Sequence, residues 1–164
     1  MRILGVDPGR NGALALLTDQ GRTLRVVDLP VLVVKRGNGT KGELDAFALH
    51  DLLSEMAPDV CYFEKVAGQR GDGVSAAFNF GEITGACKMA CILTGARFIP
   101  VTPPAWKRAM KLIGAAKDDS RAKAMQLWPE NASDFRRQKD DGRADAALIA
   151  EHGRLEQIKQ GVFG

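Results

Sequence analysis

Apolar residues fall in short blocks near the N-terminus and spread to helical spacing further on. Ile3, Leu4 and Val6 make a run that stops on Asp7 and turns at Pro8-Gly9. That is the pattern of a buried strand whose last side chain reaches a sheet edge. Gly9 and Gly12 allow a second strand, Ala13 to Thr18, to double back beside the first. Leu24 to Leu29 reads as a third strand, which Val31 to Val34 extends after the break at Pro30. Lys35 to Gly42 is polar, glycine-rich and basic, and reads as a connecting loop. Apolar residues at Leu44, Phe47, Ala48, Leu52 and Met56 then follow helical spacing. Pro58 ends that helix, and Val60 to Val66 is the next strand. A crossover helix has just been supplied, so this strand runs parallel to the first.

Ala67 to Gly73 is a second glycine-rich loop, followed from Val74 to Leu93 by a long helical stretch of small residues. Arg97 to Val101 is a fifth strand. Thr102 caps a helix that carries prolines in its first turn and runs toward Leu112. Asp118, Asp119 or Ser120 caps another, Arg121 to Trp128, which Pro129 closes; Asn131 to Gln138 is a polar loop. The last helix runs from Asp141 to Ile158, with Ala144, Ala147, Leu148, Leu155 and Ile158 on or near its apolar side. Three meandering strands and two crossovers predict an α/β fold, a mixed five-stranded sheet flanked by helices. In such sheets ligands gather at the carboxyl ends of the strands.

The 164 residues are 45% hydrophobic and 26% charged, enough for one domain spanning 1–164 with a real core. A formal charge of +3 permits a phosphate-rich partner without requiring one. Cys61, Cys87 and Cys91 lie in apolar surroundings and read as buried free thiols, with no cysteine–histidine grouping at zinc spacing. No apolar run approaches a membrane span, and the expected location is the cytoplasm.

Unpaired acids change the picture. Asp7 taken alone reads first as a turn-shaping residue. Glu64, however, is a carboxylate inside an otherwise apolar strand, and Lys65 points to the opposite face. Asp141 and Asp145 are four residues apart and share one helix face, where like charges are unfavourable unless a cation lies between them. The helix dipole excuses one of them but less readily two. Asp140 is a spare for Asp141. Brought together, these acids repel unless they share protons or bind metal, and an all-oxygen donor set favours Mg²⁺ or Mn²⁺ over zinc. Two such ions about 4 Å apart activate a water and stabilise the leaving oxygen in phosphodiester cleavage.

Ile3-Leu-Gly-Val-Asp-Pro-Gly, Phe63-Glu-Lys-Val and Asp141-Gly-Arg-Ala-Asp-Ala-Ala-Leu-Ile-Ala resemble, in order, motifs of the RuvC family of Holliday junction resolvases. That family belongs to the RNase H-like superfamily. Val101-x-Pro-x-x-Trp-Lys and Lys117-Asp-Asp-Ser-Arg are similar to the phage-type and chloroplast members. The resemblance implies an RNase H-like fold and a Mg²⁺-dependent crossover junction endodeoxyribonuclease, with Mn²⁺ able to substitute. It further implies branched DNA as substrate, a homodimer, and metal-binding carboxylates at Asp7, Glu64 and Asp145. Asp141 is the fourth, at a position that varies in the family. Lys117 matches a lysine near the scissile phosphate, and equally reads as a surface lysine ahead of a helix cap. Bacterial members carry an aromatic wedge after the second acid, where this chain has Ala67-Gly68. Junction opening then falls to residues between Gly68 and Gly73 or to Phe78 and Phe80, which read equally as core.

Lys35, Arg36, Lys41, Arg70, Lys107, Arg108, Lys111 and Arg121 are the candidate DNA contacts, with Arg136, Arg137 and Lys139 a further basic group. Each also suits a solvated face. The small residues between Val74 and Leu93 suit either a dimer contact or close packing on the chain's own sheet. His50 and His152 read as structural. Two other classes remain to compare: a non-catalytic branched-DNA-binding protein, disfavoured by the full acid set, and an actin-like ATPase or sugar kinase, which needs two such domains.

Overall fold

Alternation along the first strand sorts its side chains onto two cores. In a computed structural model, which describes residues 1–9, 11–21, 24–37, 39–67, 73–116 and 118–161 (without the side chains of Leu24, Arg36, Thr40 and Lys41), β1 spans Arg2–Asp7. Ile3 packs with one cluster, while Leu4 and Val6 pack with another. β2 (Ala13–Thr18) and β3 (Leu24–Asp28) follow as an antiparallel meander, while β6 (Val60–Glu64) and β7 (Arg97–Val101) add in parallel. The order β3-β2-β1-β6-β7 is the predicted mixed five-stranded sheet. Pro100 sits on β7, an edge strand, where its missing N–H interrupts no second ladder.

Two segments differ from expectation. Val31 does not continue the third strand: β4 (Val31–Arg36) and β5 (Gly39–Leu44) pair with each other as a separate two-stranded sheet. Pro30 cannot donate to a ladder, and Gly37 takes a left-handed φ of 59° at the turn, so the polar stretch from Lys35 to Gly42 folds as a hairpin. Leu44 is therefore strand, and α1 begins at Ala46 (Ala46–Met56) behind Asp45, whose side chain accepts from the Ala48 amide. Its buried stripe is Leu49, Leu53 and Met56, while Phe47 faces outward. The expected loop from Asn131 is mostly a 3-10 helix, Pro129–Phe135, pinned by the buried Phe135.

α1 and α2 (Val74–Leu93) pack on the core that contains Leu4, Val6, Cys61 and Phe63. α3 (Pro103–Ala109), α4 (Asp119–Leu127) and α5 (Asp141–Lys159) pack on the opposite core with Ile3, Val60 and Tyr62. α5 is the central helix, buried almost all round from Gly142 to Gly153. Gly5 explains its closeness: a methyl there would collide with the Ala146 carbonyl and the Ala150 amide. Cys61, Cys87 and Cys91 are buried and free, as their surroundings predicted. Among the described residues no helix is long and apolar enough to cross a membrane.

Candidate active site

Period-two alternation carries two acids to one place. Ile3, Gly5 and Asp7 share one face of β1, and Val60, Tyr62 and Glu64 share the same face of β6. The two strands are parallel and in register from Ile3–Val60 to Val6–Phe63, so Asp7 and Glu64 end neighbouring strands on the α5 side. Gly142, in the first turn of α5, completes the approach, since a methyl there would strike Asn11 O and lie 3.0 Å from Asp7 Oδ2. One turn of this helix then brings Asp141 and Asp145 to Asp7. All three line a cleft of about 550 Å³ with Gly9, Phe80 and Lys139. Asp141 and Asp145 also wall a smaller cavity of about 190 Å³, opposite Lys107 and Ser120.

The charges in this cluster act on one another. Burial, then the charges of Glu64 and Asp145, push the Asp7 carboxyl well above the usual carboxylate range, and Lys107 pulls it partly back. Asp145 is raised to about 6, chiefly by burial, against the opposing pull of a Ser120 hydrogen bond and Lys107. Its Oδ1 is buried and accepts no hydrogen bond. Such an oxygen is costly unless something electropositive meets it.

The other acids have partners that sequence spacing did not reveal. Trp106 donates its indole N–H to Glu64 Oε1 at 2.8 Å. Arg121 donates from Nε to Asp141 Oδ1 at 2.9 Å, from NH2 to Asp118 and from NH1 to the Arg136 carbonyl. The pair Asp141–Asp145 thus has its cation, and Arg121, expected on DNA, is engaged by protein carboxylates. Asp140 is 1% exposed and bound by the Arg137 amide and guanidinium, so Asp141, not Asp140, faces the cleft. Trp106 had one sequence signal, its place beside Lys107 in the Trp-Lys pair, and Ser120 and Arg121 had theirs in Lys117-Asp-Asp-Ser-Arg, but nothing in the spacing joined Ser120 to Asp145 or Arg121 to Asp141.

Lys107 lies 5.3 Å from the Trp106 ring centroid and acts on both Asp7 and Asp145, so it belongs to the acid cluster. Lys35, Arg108 and Lys111 are exposed on β4, on α3 and just beyond α3. Arg36 and Lys41 lie on the hairpin strands, and Lys117 and Arg70 lie outside the described residues. Phe80 lines the cleft and Phe78 is exposed, so neither is core. His50 pairs with its neighbour Asp51, and His152 is buried.

Comparison with known proteins gives this arrangement its family. The sequence pattern of the family described as crossover junction endodeoxyribonuclease RuvC matches residues 3–129, most of the chain. The chain belongs to the RuvC family. A curated RuvC, the crossover junction endodeoxyribonuclease of Halorhodospira halophila, is 30% identical over 117 residues, covering 70% of this chain and 69% of that protein. Two solved structures share the fold. Thermus thermophilus RuvC in complex with a Holliday junction substrate has a TM-score of 0.63 at 18% identity, over 97% of this chain and 96% of that one. A second structure of Thermus thermophilus RuvC has a TM-score of 0.55 at 19% identity, over 98% and 97% of the two chains. The five-stranded sheet is thus the RNase H-like sheet of RuvC. The family match ends before α5, so Asp141 and Asp145 enter the cluster through the fold.

RuvC enzymes are metal-dependent nucleases, and the donors of this cleft fit a hard cation. They are carboxylate oxygens, one of them the unpartnered Oδ1 of Asp145. Among the described residues no three acid, histidine or cysteine side chains converge as a finished coordination sphere.

Proposed function

We propose that this RuvC-family chain resolves four-way DNA junctions by paired symmetric nicks, with Asp7, Glu64 and Asp145 as cation-holding carboxylates and Asp141 as the fourth. The observation that supports this most is the gathering of Asp7, Asp141 and Asp145 in one cleft around an unpartnered Asp145 oxygen. One nuclease domain over 1–164 carries the activity, in the cytoplasm. Magnesium suits the all-oxygen donors, with manganese as a substitute. A bound divalent ion supplies charge neutralisation at the scissile phosphate and a water of lowered pKa.

The chain's own residues prepare that chemistry. Asp7 and Asp145 must lose their protons to act as ligands, and Lys107 favours that loss at both. Lys117 stands as the cation near the phosphate. Lys35, Arg36, Lys41, Arg70, Arg108 and Lys111 contact backbone phosphates, which hold DNA in register without reading sequence. Arg121 supports the site through Asp141.

Paired nicks on a two-fold junction call for a two-fold dimer. α2 offers the surface: Val74 is 88% exposed, Phe78 66% and Leu93 77%. A side chain at Gly81 or Gly85 would meet open space, so this small-residue face does not pack on its own sheet.

The test is a cleavage panel of four-way junction, flap, duplex and RNA–DNA hybrid in Mg²⁺ and in Mn²⁺. The expected result is paired nicking of the four-way junction, abolished in Asp7→Asn. Binding of the junction by wild type with no cleavage in either metal would make the chain a binding protein instead. Preferred cleavage of the hybrid would reassign the substrate.

A further inference from the structure

Trp106 is fully buried, and its indole N–H points at Glu64 Oε1, 2.8 Å away. The chain path makes this contact early. Val101 pairs with Glu64 at the end of β7, and the Lys65 amide donates to the Val101 carbonyl at 2.7 Å. α3 starts two residues later, at Pro103, so its first turn folds over the end of β6. The indole ring packs into the core on the α5 side of the sheet. An aliphatic or phenyl side chain would serve that packing, but only the indole brings a donor to the carboxylate.

The kind of donor matters. A guanidinium at this point would neutralise Glu64, as Arg121 does for Asp141 and Arg137 for Asp140. A neutral N–H removes the freedom of the carboxylate but leaves its charge and its second oxygen. A buried indole N–H also needs an acceptor, so the two groups fix each other. The same ring carries the Lys107 ammonium 5.3 Å from its centroid. One side chain thereby touches both the acid of β6 and the lysine of the cluster.

We infer that Trp106 is a positioning residue, whose indole N–H fixes Oε1 of Glu64 so that Oε2 is presented to a divalent cation beside Asp7. This rests on the reading of the acid cluster as a metal site. It adds a specific claim, that cation affinity depends on one hydrogen atom outside the ligand set. Partners that orient a ligand in this way are worth about 10–100-fold in metal affinity or activity.

The experiment is calorimetric titration of the DNA-free protein with Mn²⁺, for wild type, Trp106→Phe, Glu64→Gln and the double variant. Trp106→Phe should weaken Mn²⁺ binding about 10–100-fold and raise the Mn²⁺ needed for half-maximal cleavage by a similar factor. Saturating Mn²⁺ should restore most of the rate, and junction affinity measured in EDTA should stay at the wild-type value. In the Glu64→Gln background the second substitution should cost no further affinity. Equal Mn²⁺ affinity in wild type and a folded Trp106→Phe would overturn the inference and leave Trp106 as packing. So would a full additional loss in the double variant. If Trp106→Phe does not fold, 3-benzothienylalanine at position 106 replaces the N–H by sulfur and keeps the ring's shape; the same two outcomes decide. A wild type that binds no Mn²⁺ would overturn the metal-site reading itself, and the inference with it.

Discussion

Arg121 holds Asp141 by a 2.9 Å bond from Nε, so one of the acids facing the cleft already has a cation of its own. The guanidinium also takes Asp118 and the Arg136 carbonyl, tying the start of α4 to the start of α5. We expect Arg121→Ala to lower the melting temperature in metal-free buffer, since it removes a guanidinium that offsets the repulsion between Asp141 and Asp145. Added Mn²⁺ should recover more of that loss than it adds to wild type, because a bound cation replaces the missing charge. Scanning fluorimetry with and without Mn²⁺ measures both. A variant that melts like wild type in both buffers would show that Asp141 does not depend on Arg121.

The raised Asp145 carboxyl predicts how stability varies with pH. Its folded value, about 6, lies above that of an unfolded aspartate, so its contribution is full below about pH 4 and is lost as pH rises through about 6. The shift corresponds to about 2–3 kcal/mol at neutral pH. Asp145→Asn should therefore be more stable than wild type in metal-free buffer at pH 7, and much less so at pH 4. It should also be inactive. Urea unfolding at the two pH values separates this from a simple structural role; parallel curves for the two proteins would refute it.

Lys107 lowers both Asp7 and Asp145, so its loss should raise both further. The expected result for Lys107→Gln is a rising limb of the pH–rate profile displaced to higher pH. Cation binding competes with those protons, so Mn²⁺ affinity at pH 6 should fall more than at pH 8. An unmoved limb with a uniformly lower rate would make Lys107 a phosphate contact only.

Gly5 has no room for a side chain beneath the backbone of α5. Gly5→Ala should lift that helix from β1 and cost roughly 3 kcal/mol, at the upper end of overpacking. Because Asp141 and Asp145 ride on the same helix, cleavage should fall even in conditions where the variant remains folded. Denaturant unfolding with a parallel single-turnover assay checks both. Wild-type activity in a destabilised protein would separate helix placement from catalysis.

Gly85 gives the converse case, with open space where its side chain would be. Gly85→Leu should leave the protomer folded and weaken association, shifting the mass seen by light scattering toward monomer. Loss of folding instead would place the dimer surface elsewhere. Paired nicks from a protein that stays monomeric with junction DNA would refute the dimer.

Local patterning along the chain settles which faces the strands present. Period-two alternation put Asp7 and Glu64 at strand ends, and the crossover helix before Val60 made β6 run parallel to β1. Helical spacing put Asp141 and Asp145 on one side of α5. Such patterns are local, because they follow from 2.0 and 3.6 residues per repeat. They name a face without naming what lies opposite. Long-range packing is what brings Trp106 to Glu64 from 42 positions away and Arg121 to Asp141 from 20 away, and what turns Asp140 from the cleft to Arg137. The second strand of the hairpin, Gly39–Leu44, was equally hidden. Its glycines and lysines carry no strand pattern, and its pairing depends on a turn at Gly37 and on Pro30 breaking the main sheet. α2 shows the same division. Its small residues were visible in the chain, but whether they met a sheet or solvent depended on where α1 and β6 left room.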